Sequence, residues 1–372
     1  MTTTPQDPET SLADRMRAAV PRMRRRLPGG VADAPAQVLR QLADELERSA
    51  EPERWDRYGN GGPVEQLEQQ VAELLGKPAA AMFPSGIMAQ QAALRVWSDR
   101  AGSRRVAIPE LSHLLHHELD GPRLLHDLRY EWLTTGPAVP TADDLAAIAG
   151  PLGAVLFELP LREAAFLLPS WDELVAFSTA CRDRGVPLHL DGARLWESTP
   201  ALGHDLAEVA ALADTVYVSF YKGLGGLAGA VLAGPGDVVA EATQWRKRLG
   251  GTLYTLLPYA VSALRGLRTE LPRMGDYHTR ACEFAEKLSA RGVQVHPLVP
   301  HTNAFRLYAG QPVDQIFERV VALMEREQLM LTGGWAPAEL PGSSWTEFVV
   351  GPETMGWDPD EAVDALVGLL RP

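Results

Sequence analysis

The sequence predicts an α/β protein: a mainly parallel sheet covered on both faces, with a smaller α+β unit toward the C-terminal end. Three observations predict it. Between about residues 79 and 234, apolar runs of strand length alternate with amphipathic stretches of helix length, the spacing of parallel strands joined by crossovers. Residues with chemical potential, Ser85, Asp191 and Lys222, fall at the ends of such runs, where open α/β sheets bind ligands. From about Tyr254 the texture changes to a long helical region and then to short mixed elements.

Taken in order, residues 1–10 (MTTTPQDPET) read as a loose polar end. Helix-like stretches from Leu12 to about Ala50 are broken by LPGGVADAP. The first clear helix is PVEQLEQQVAELLG, with Leu67, Val71, Leu74 and Leu75 on one stripe and Gly76 as its stop. It follows the glycine-rich RYGNGGP. AAAMF is a short strand, and PSGIMAQQAALRVW is a turn opening into a helix. RRVAI (104–108) and GAVLFEL (153–159) read as strands, WDELVAFSTACRDRG as a helix, and VPLHLD, DTVYVSF and GAVLAG as further strands. A helical region runs from LLPYAVSALRGLRTEL to about Arg291, and VQVHPL, NAFRLY, IFERVVALMEREQL, EFVVG and DEAVDALVGLL complete the smaller unit. The expected division is an N-terminal arm (1–55), a large α/β domain (56–260) and a small α+β domain (261–372).

The chain has 372 residues and a formal net charge of −13, which argues against nucleic acid as a partner because phosphate backbones demand clustered basic charge. The basic run MRRRL at 23–27 is followed by no apolar segment of a targeting signal, and no apolar run approaches a bilayer span. Cys181 and Cys282 form neither a CxxC nor a metal-ligand spacing, so no metal and no structural disulfide is expected. A soluble, cytoplasmic protein with a small-molecule substrate is the reading.

Three strand ends carry the chemistry. Ser85 and Gly86, between a strand and a helix start, offer backbone N–H groups and a hydroxyl to a phosphate-sized anion; a plain helix cap would look the same. Asp191 closes VPLHL, where a carboxylate either caps a turn or accepts a charged hydrogen bond from a protonated ring nitrogen. Lys222 follows DTVYVSF among glycines and aromatics, a setting that can desolvate an amine into a nucleophile. An amine, a carboxylate and a phosphate site together are what pyridoxal phosphate requires. ELSHLLHHE offers His113 to stack on the ring.

These segments, with RYGNGGPVEQLEQQVAELLGK, PSGIMAQQAAL, LHLDGARLWE, SFYKGLGGLAGAVLAG and WRKRLGG, resemble the threonine aldolase and β-eliminating lyase family of fold-type-I pyridoxal phosphate enzymes, over about residues 58–260. The resemblance implies a seven-stranded, mainly parallel sheet and a homodimer or homotetramer with active sites at the subunit interface. It makes Lys222 the Schiff-base lysine and Asp191 the partner of the pyridine nitrogen. Ser85, Gly86, the Ile87 amide and Ser219 fall to the cofactor, His113 to its ring, and Arg194 to cofactor and substrate carboxylate. His113 or His116 is the base. The implied reaction cleaves the Cα–Cβ bond of a β-hydroxy-α-amino acid to glycine and an aldehyde. A transaldolase, a C–S lyase or an aminotransferase would share the cofactor. A relative that lost catalysis is opposed by the joint presence of Lys222, Asp191 and Arg194. A dinucleotide enzyme is opposed by glycine spacing in GLGGLAG that does not match GxGxxG.

The sequence departs from the family in four places. No Asp-Thr-Val-Thr-like segment occurs in 11–50, and Glu-Asn-Thr-His-Asn is replaced by Glu158-Leu159-Pro160-Leu161-Arg162. The threonine expected after Ser85-Gly86 is Ile87, and Glu347 stands in the C-terminal strand where an arginine is common. Carboxylate capture is therefore expected to rest on Arg194, with Arg162 as its candidate substitute partner. Arg246, Lys247 and Arg248 are either a phosphate's counter-charge or a solvated helix face.

Overall fold

The computed structural model describes residues 11–29, 33–49 and 51–371, so the expected loose end at 1–10 lies outside the described residues. The chain divides into two compact units. One comprises residues 35–278; the other comprises 279–371 with the N-terminal stretch that ends at residue 34. The sequence placed these divisions at 56 and 261. Pairing explains the early segment's place: Arg25 and Arg26 lie in parallel register with Leu329 and Met330, and the Gly29 amide donates to the Val349 carbonyl.

In the larger unit, helical spacing buries Val64, Leu67 and Val71 on one face of α1 (Gly62–Leu74), with Leu75 buried at its C-cap and Leu74 only partly so. Gly76 ends the helix in the left-handed region (φ 58°), as the sequence predicts. Seven strands follow: β1 (Ala79–Phe83), β2 (Arg105–Ile108), β3 (Arg129–Trp132), β4 (Ala154–Glu158), β5 (Leu188–Gly192), β6 (Thr215–Ser219) and β7 (Ala230–Gly234). They form one sheet in the order β1-β7-β6-β5-β4-β2-β3, parallel except where β7 runs antiparallel to both β1 and β6. β4 to β7 are buried at every residue, which is why they read as near-continuous apolar runs. β3 was not legible: it is an edge strand, with Arg129 and Trp132 exposed and no apolar run to mark it.

Helix α2 (Gly86–Ala101) lies on this sheet through Ala89, Ala92, Ala93 and Val96, packed against Phe83, Tyr217 and Leu232. Small side chains let its backbone approach closely, so its N-terminus sits just beyond the strand ends. The long helical region after Tyr254 is two helices, α3 (Leu257–Thr269) and α4 (Met274–Ala290), separated by a 3-10 turn at Leu271–Arg273 that contains Pro272.

The smaller unit holds a four-stranded antiparallel sheet built from Gln294–His296, Ala304–Ala309, Ala336–Pro337 and Ser344–Val349. Here Glu347 lies directly across from Arg306, so the acidic residue that departs from the family has a basic cross-strand neighbour. Among the described residues no helix is long and apolar enough to cross a membrane.

Candidate active site

Three neighbouring strands end in a polar row. Asp191 on β5 is in register with Glu158 on β4 and Tyr217 on β6, so the three side chains stand at one height on one face of the sheet. All three are buried, at 1%, 5% and 2% exposure. They line a cleft together with Ile87, Gln90, His113, Glu118, Arg194, Tyr221 and Lys222. The cleft lies at the carboxyl ends of the strands, as the sequence predicts.

Each wall is held by backbone chemistry. The Ala193 amide donates to Asp191 Oδ1 at 3.0 Å, fixing the carboxylate in the turn after β5. Glu158 accepts the His113 amide at 2.7 Å on one oxygen and the Arg162 amide at 3.2 Å on the other. One buried carboxylate thus ties down both the histidine turn and the segment after β4. Ser219 ends β6 with its hydroxyl donating to the Ala193 carbonyl at 2.7 Å, and the Trp196 indole donates to the Ser219 carbonyl at 2.8 Å. These bonds fix the turn that carries Arg194 against the one that carries Lys222. Glu197, buried, accepts the Gly223 amide at 3.0 Å and so holds the residue next to the lysine.

At the other end of the cleft, Ser85 caps α2 by accepting the Met88 amide at 3.3 Å. The first-turn amides of Gly86 and Ile87 have no partner within the helix, as at any helix start. Arg246, 7% exposed, donates to the Met82 carbonyl in the strand leading to this turn, and its guanidinium lies against Gly59 of the glycine-rich loop. Lys247 and Arg248 are exposed. The basic trio is therefore one buried brace and two solvated residues. Asp56 anchors the same loop, accepting the amides of Gly59 (3.3 Å) and Leu256 (3.0 Å). Gly86 is required by space: a Cβ there would collide with the Tyr217 hydroxyl and ring. Gly86→Ala is expected to cost about 1–3 kcal/mol of stability and to weaken cofactor binding. Melting temperature and a cofactor titration check both.

Burial dominates the electrostatics. It pushes the Lys222 amine down to about 8, with the Arg194 guanidinium adding to the effect and Asp191 and Glu158 opposing it. Burial, reinforced by Asp191, pushes Glu158 up to about 8, and burial pushes Glu118 up to about 8 against a 3.2 Å bond from Gln91. Asp191 is also raised by burial, while Lys222, the Ala193 amide and Gln90 pull it back. Buried carboxyls at this density favour a proton or a cation among them. His113 is driven down to about 3 by burial and by Lys222, so its ring is neutral at neutral pH. One kinetic result follows. With the amine at about 8, about one Lys222 in ten is neutral at pH 7, against about one in three thousand at the ordinary value of 10.5. The rate at which apo-protein takes up pyridoxal phosphate is expected to rise with pH through about 8 and then level off, rather than climb to pH 10; stopped-flow absorbance checks this.

Of the residues singled out from sequence, Lys222, Asp191, His113, Arg194 and Ile87 share the cleft wall, and Ser85 and Gly86 form the turn beside Ile87. Three fall elsewhere. His116 is exposed with Nε2 3.0 Å from the Glu110 carbonyl, so His113 is the histidine that faces the cleft. The Ser219 hydroxyl is spent on Ala193. Arg162 pairs with Glu163 at 2.7 Å and lies 3.4 Å from His117, beside the cleft wall. Sequence reasoning missed Gln90, Glu118, Tyr217 and Tyr221. Gln90 had a signal, as a polar residue among the small apolar side chains of α2, whereas Glu118 lies in the bend after a one-turn helix and had none. Tyr217 had none, because an aromatic in a buried strand reads as core.

The resemblance extends over nearly the whole chain. The family model described as β-eliminating lyase matches residues 49–309. Low-specificity L-threonine aldolase 1 of Arabidopsis thaliana is 28% identical over 261 residues, covering 67% of this chain and 72% of that protein. A crystal structure from Listeria monocytogenes, provisionally assigned as an L-allo-threonine aldolase, is 36% identical with a TM-score of 0.88, covering 97% of this chain and 99% of that one. A structure from Exiguobacterium sp. 255-15, provisionally assigned as an aromatic amino acid β-eliminating lyase/threonine aldolase, is 37% identical with a TM-score of 0.87, covering 96% and 99%. With an amine and a buried carboxylate lining one cleft, the chain belongs to the β-eliminating lyase family, fold-type-I enzymes whose cofactor is pyridoxal phosphate.

Proposed function

We propose that this protein is an aldolase of the threonine aldolase type, cleaving the Cα–Cβ bond of a β-hydroxy-α-amino acid to glycine and an aldehyde. The observation that carries this reading is an imidazole, His113, on the wall of the cleft that also holds Lys222 and Arg194. Bound pyridoxal phosphate supplies an electron sink for the bond broken at Cα. The residues present fit that cofactor. Lys222 offers a desolvated amine, and Asp191 a buried carboxylate that needs a positively charged partner. The Ser85–Ile87 turn offers two amides and a hydroxyl to its phosphate.

Each residue has a physical task in this reading. Asp191 holds the proton on the ring nitrogen. His113 covers the ring face and accepts the β-hydroxyl proton, which its neutral state allows. Arg194, whose guanidinium stands 5.3 Å above the Phe166 ring, takes the substrate carboxylate in a fork and sets the angle of the Cα–Cβ bond. Leu159 and Pro160 form an apolar part of the wall.

The test is product analysis with a panel of β-hydroxy amino acids. Glycine plus an aldehyde supports the reading, whereas a keto acid or a released thiol assigns an aminotransferase or a C–S lyase. Carboxylate capture is checked separately. Arg194→Lys is expected to raise KM by about tenfold or more, because a point charge cannot replace a fork, while the cofactor spectrum is unchanged. Arg162→Ala is expected to change KM far less, given its pairing with Glu163. A homodimer or homotetramer belongs to the same reading, and sedimentation velocity checks it.

A further inference from the structure

Ile87 removes a hydroxyl from the phosphate turn, and a second pair of hydroxyls stands beside the gap. Tyr217 projects from β6 so that its phenol oxygen lies where a Cβ of Gly86 would be, immediately under the first turn of α2. Tyr221, one residue before Lys222, lines the same cleft, so the two phenols stand on one wall. Tyr217 is 2% exposed, whereas Tyr221 is 43% exposed and stands at the rim of the same cleft. Two phenols carry two protons, and a bond between them would use only one. The other remains available to an acceptor. A phenylalanine at 217 would fill the same volume without the cost of burying a hydroxyl, and Gly86 is needed to make room for that oxygen.

The geometry points to the Tyr217–Tyr221 pair as a phosphate ligand: one phenol proton is donated to the cofactor's phosphate, replacing the hydroxyl that Ile87 lacks. Tyr217 reaches the turn from beneath Gly86 and Tyr221 from the rim of the cleft. A phosphate dianion is the acceptor that gains most from such a donor. The inference rests on the family's cofactor and not on the aldol reaction proposed above.

The experiment measures cofactor affinity without substrate. Apo-protein of the wild type, Tyr221→Phe, Tyr217→Phe, Ile87→Thr and the double variant Ile87→Thr/Tyr221→Phe is titrated with pyridoxal phosphate and, separately, with unphosphorylated pyridoxal. Far-UV circular dichroism and melting temperature establish that each is folded. Tyr221→Phe is expected to weaken pyridoxal phosphate binding by about tenfold, Tyr217→Phe by less, and Ile87→Thr to restore much of the loss in the double variant. Pyridoxal affinity is expected to stay unchanged throughout, and inorganic phosphate to compete less well in the phenylalanine variants. Folded phenylalanine variants that bind pyridoxal phosphate as tightly as wild type would overturn the inference. An equal loss for pyridoxal would overturn it too, since it would place the contact on the ring. Failure of the aldolase reading would leave these affinities as they are.

Discussion

Lys222→Ala is expected to abolish the covalent attachment of pyridoxal phosphate and to reduce turnover by about 10³-fold or more, as removal of a covalent nucleophile does. The wild-type protein is expected to show a visible absorption band that borohydride bleaches, leaving the cofactor fixed to the chain. In Lys222→Ala the band is expected at the position of the free aldehyde, and dialysis after borohydride should remove the label. The magnitude follows from the setting. Among the described residues no other lysine lines the cleft, and burial has already lowered this amine to about 8, so no neighbour takes its place. A colourless wild type that takes up no pyridoxal phosphate would defeat the assignment of the site.

Asp191→Asn is expected to act in opposite directions on the empty and the loaded protein. An amide cannot supply the charge that keeps the ring nitrogen protonated, so cofactor affinity should fall by about tenfold or more and turnover by about a hundredfold or more. The apo-protein should instead become more stable at neutral pH and above. The Asp191 carboxyl in the fold is raised above its ordinary 3.8 by burial, so the folded state holds its proton to higher pH than the unfolded chain does. Stability is therefore fully favoured below about pH 4 and is lost as pH rises above it through the folded value. Asparagine has no such loss. Thermal melts of both apo-proteins between pH 5 and 8.5 should diverge as pH rises, with the variant the more stable. A parallel course would mean that Asp191 is compensated by its neighbours even without a cofactor.

Linear spacing carried a large part of the site. Asp191 and Lys222 are separated by one helical excursion and one strand, and each directly follows an apolar run, so their arrival at neighbouring strand ends could be read before any coordinates. The same holds for the Ser85 turn, where a strand runs straight into a helix. β3 escaped because an edge strand needs no apolar run. The antiparallel direction of β7 also escaped, since the apolar run GAVLAG is alike in either orientation. Among the histidines, HLLHH offers three candidates within five residues, and sequence spacing alone could not say which one turns inward. The Glu158 carboxylate decides it by accepting the His113 amide, which leaves His116 on the solvent side.

By itself, the sequence determined the fold class and pointed to the strand ends at Ser85, Asp191 and Lys222 as the places to examine, and the family resemblance added Arg194. Those are properties of residue type and local period, which act over a few residues and survive without knowledge of neighbours. Only the tertiary structure decided the row Glu158–Asp191–Tyr217, the inward turn of Gln90 and Glu118, the bracing role of Arg246 and the need for glycine at 86. Each of these depends on which strand lies beside which, in what register, and how closely a helix approaches. Such contacts join residues far apart in the chain, and it is burial on folding that turns ordinary carboxyls and phenols into groups with shifted affinities for protons.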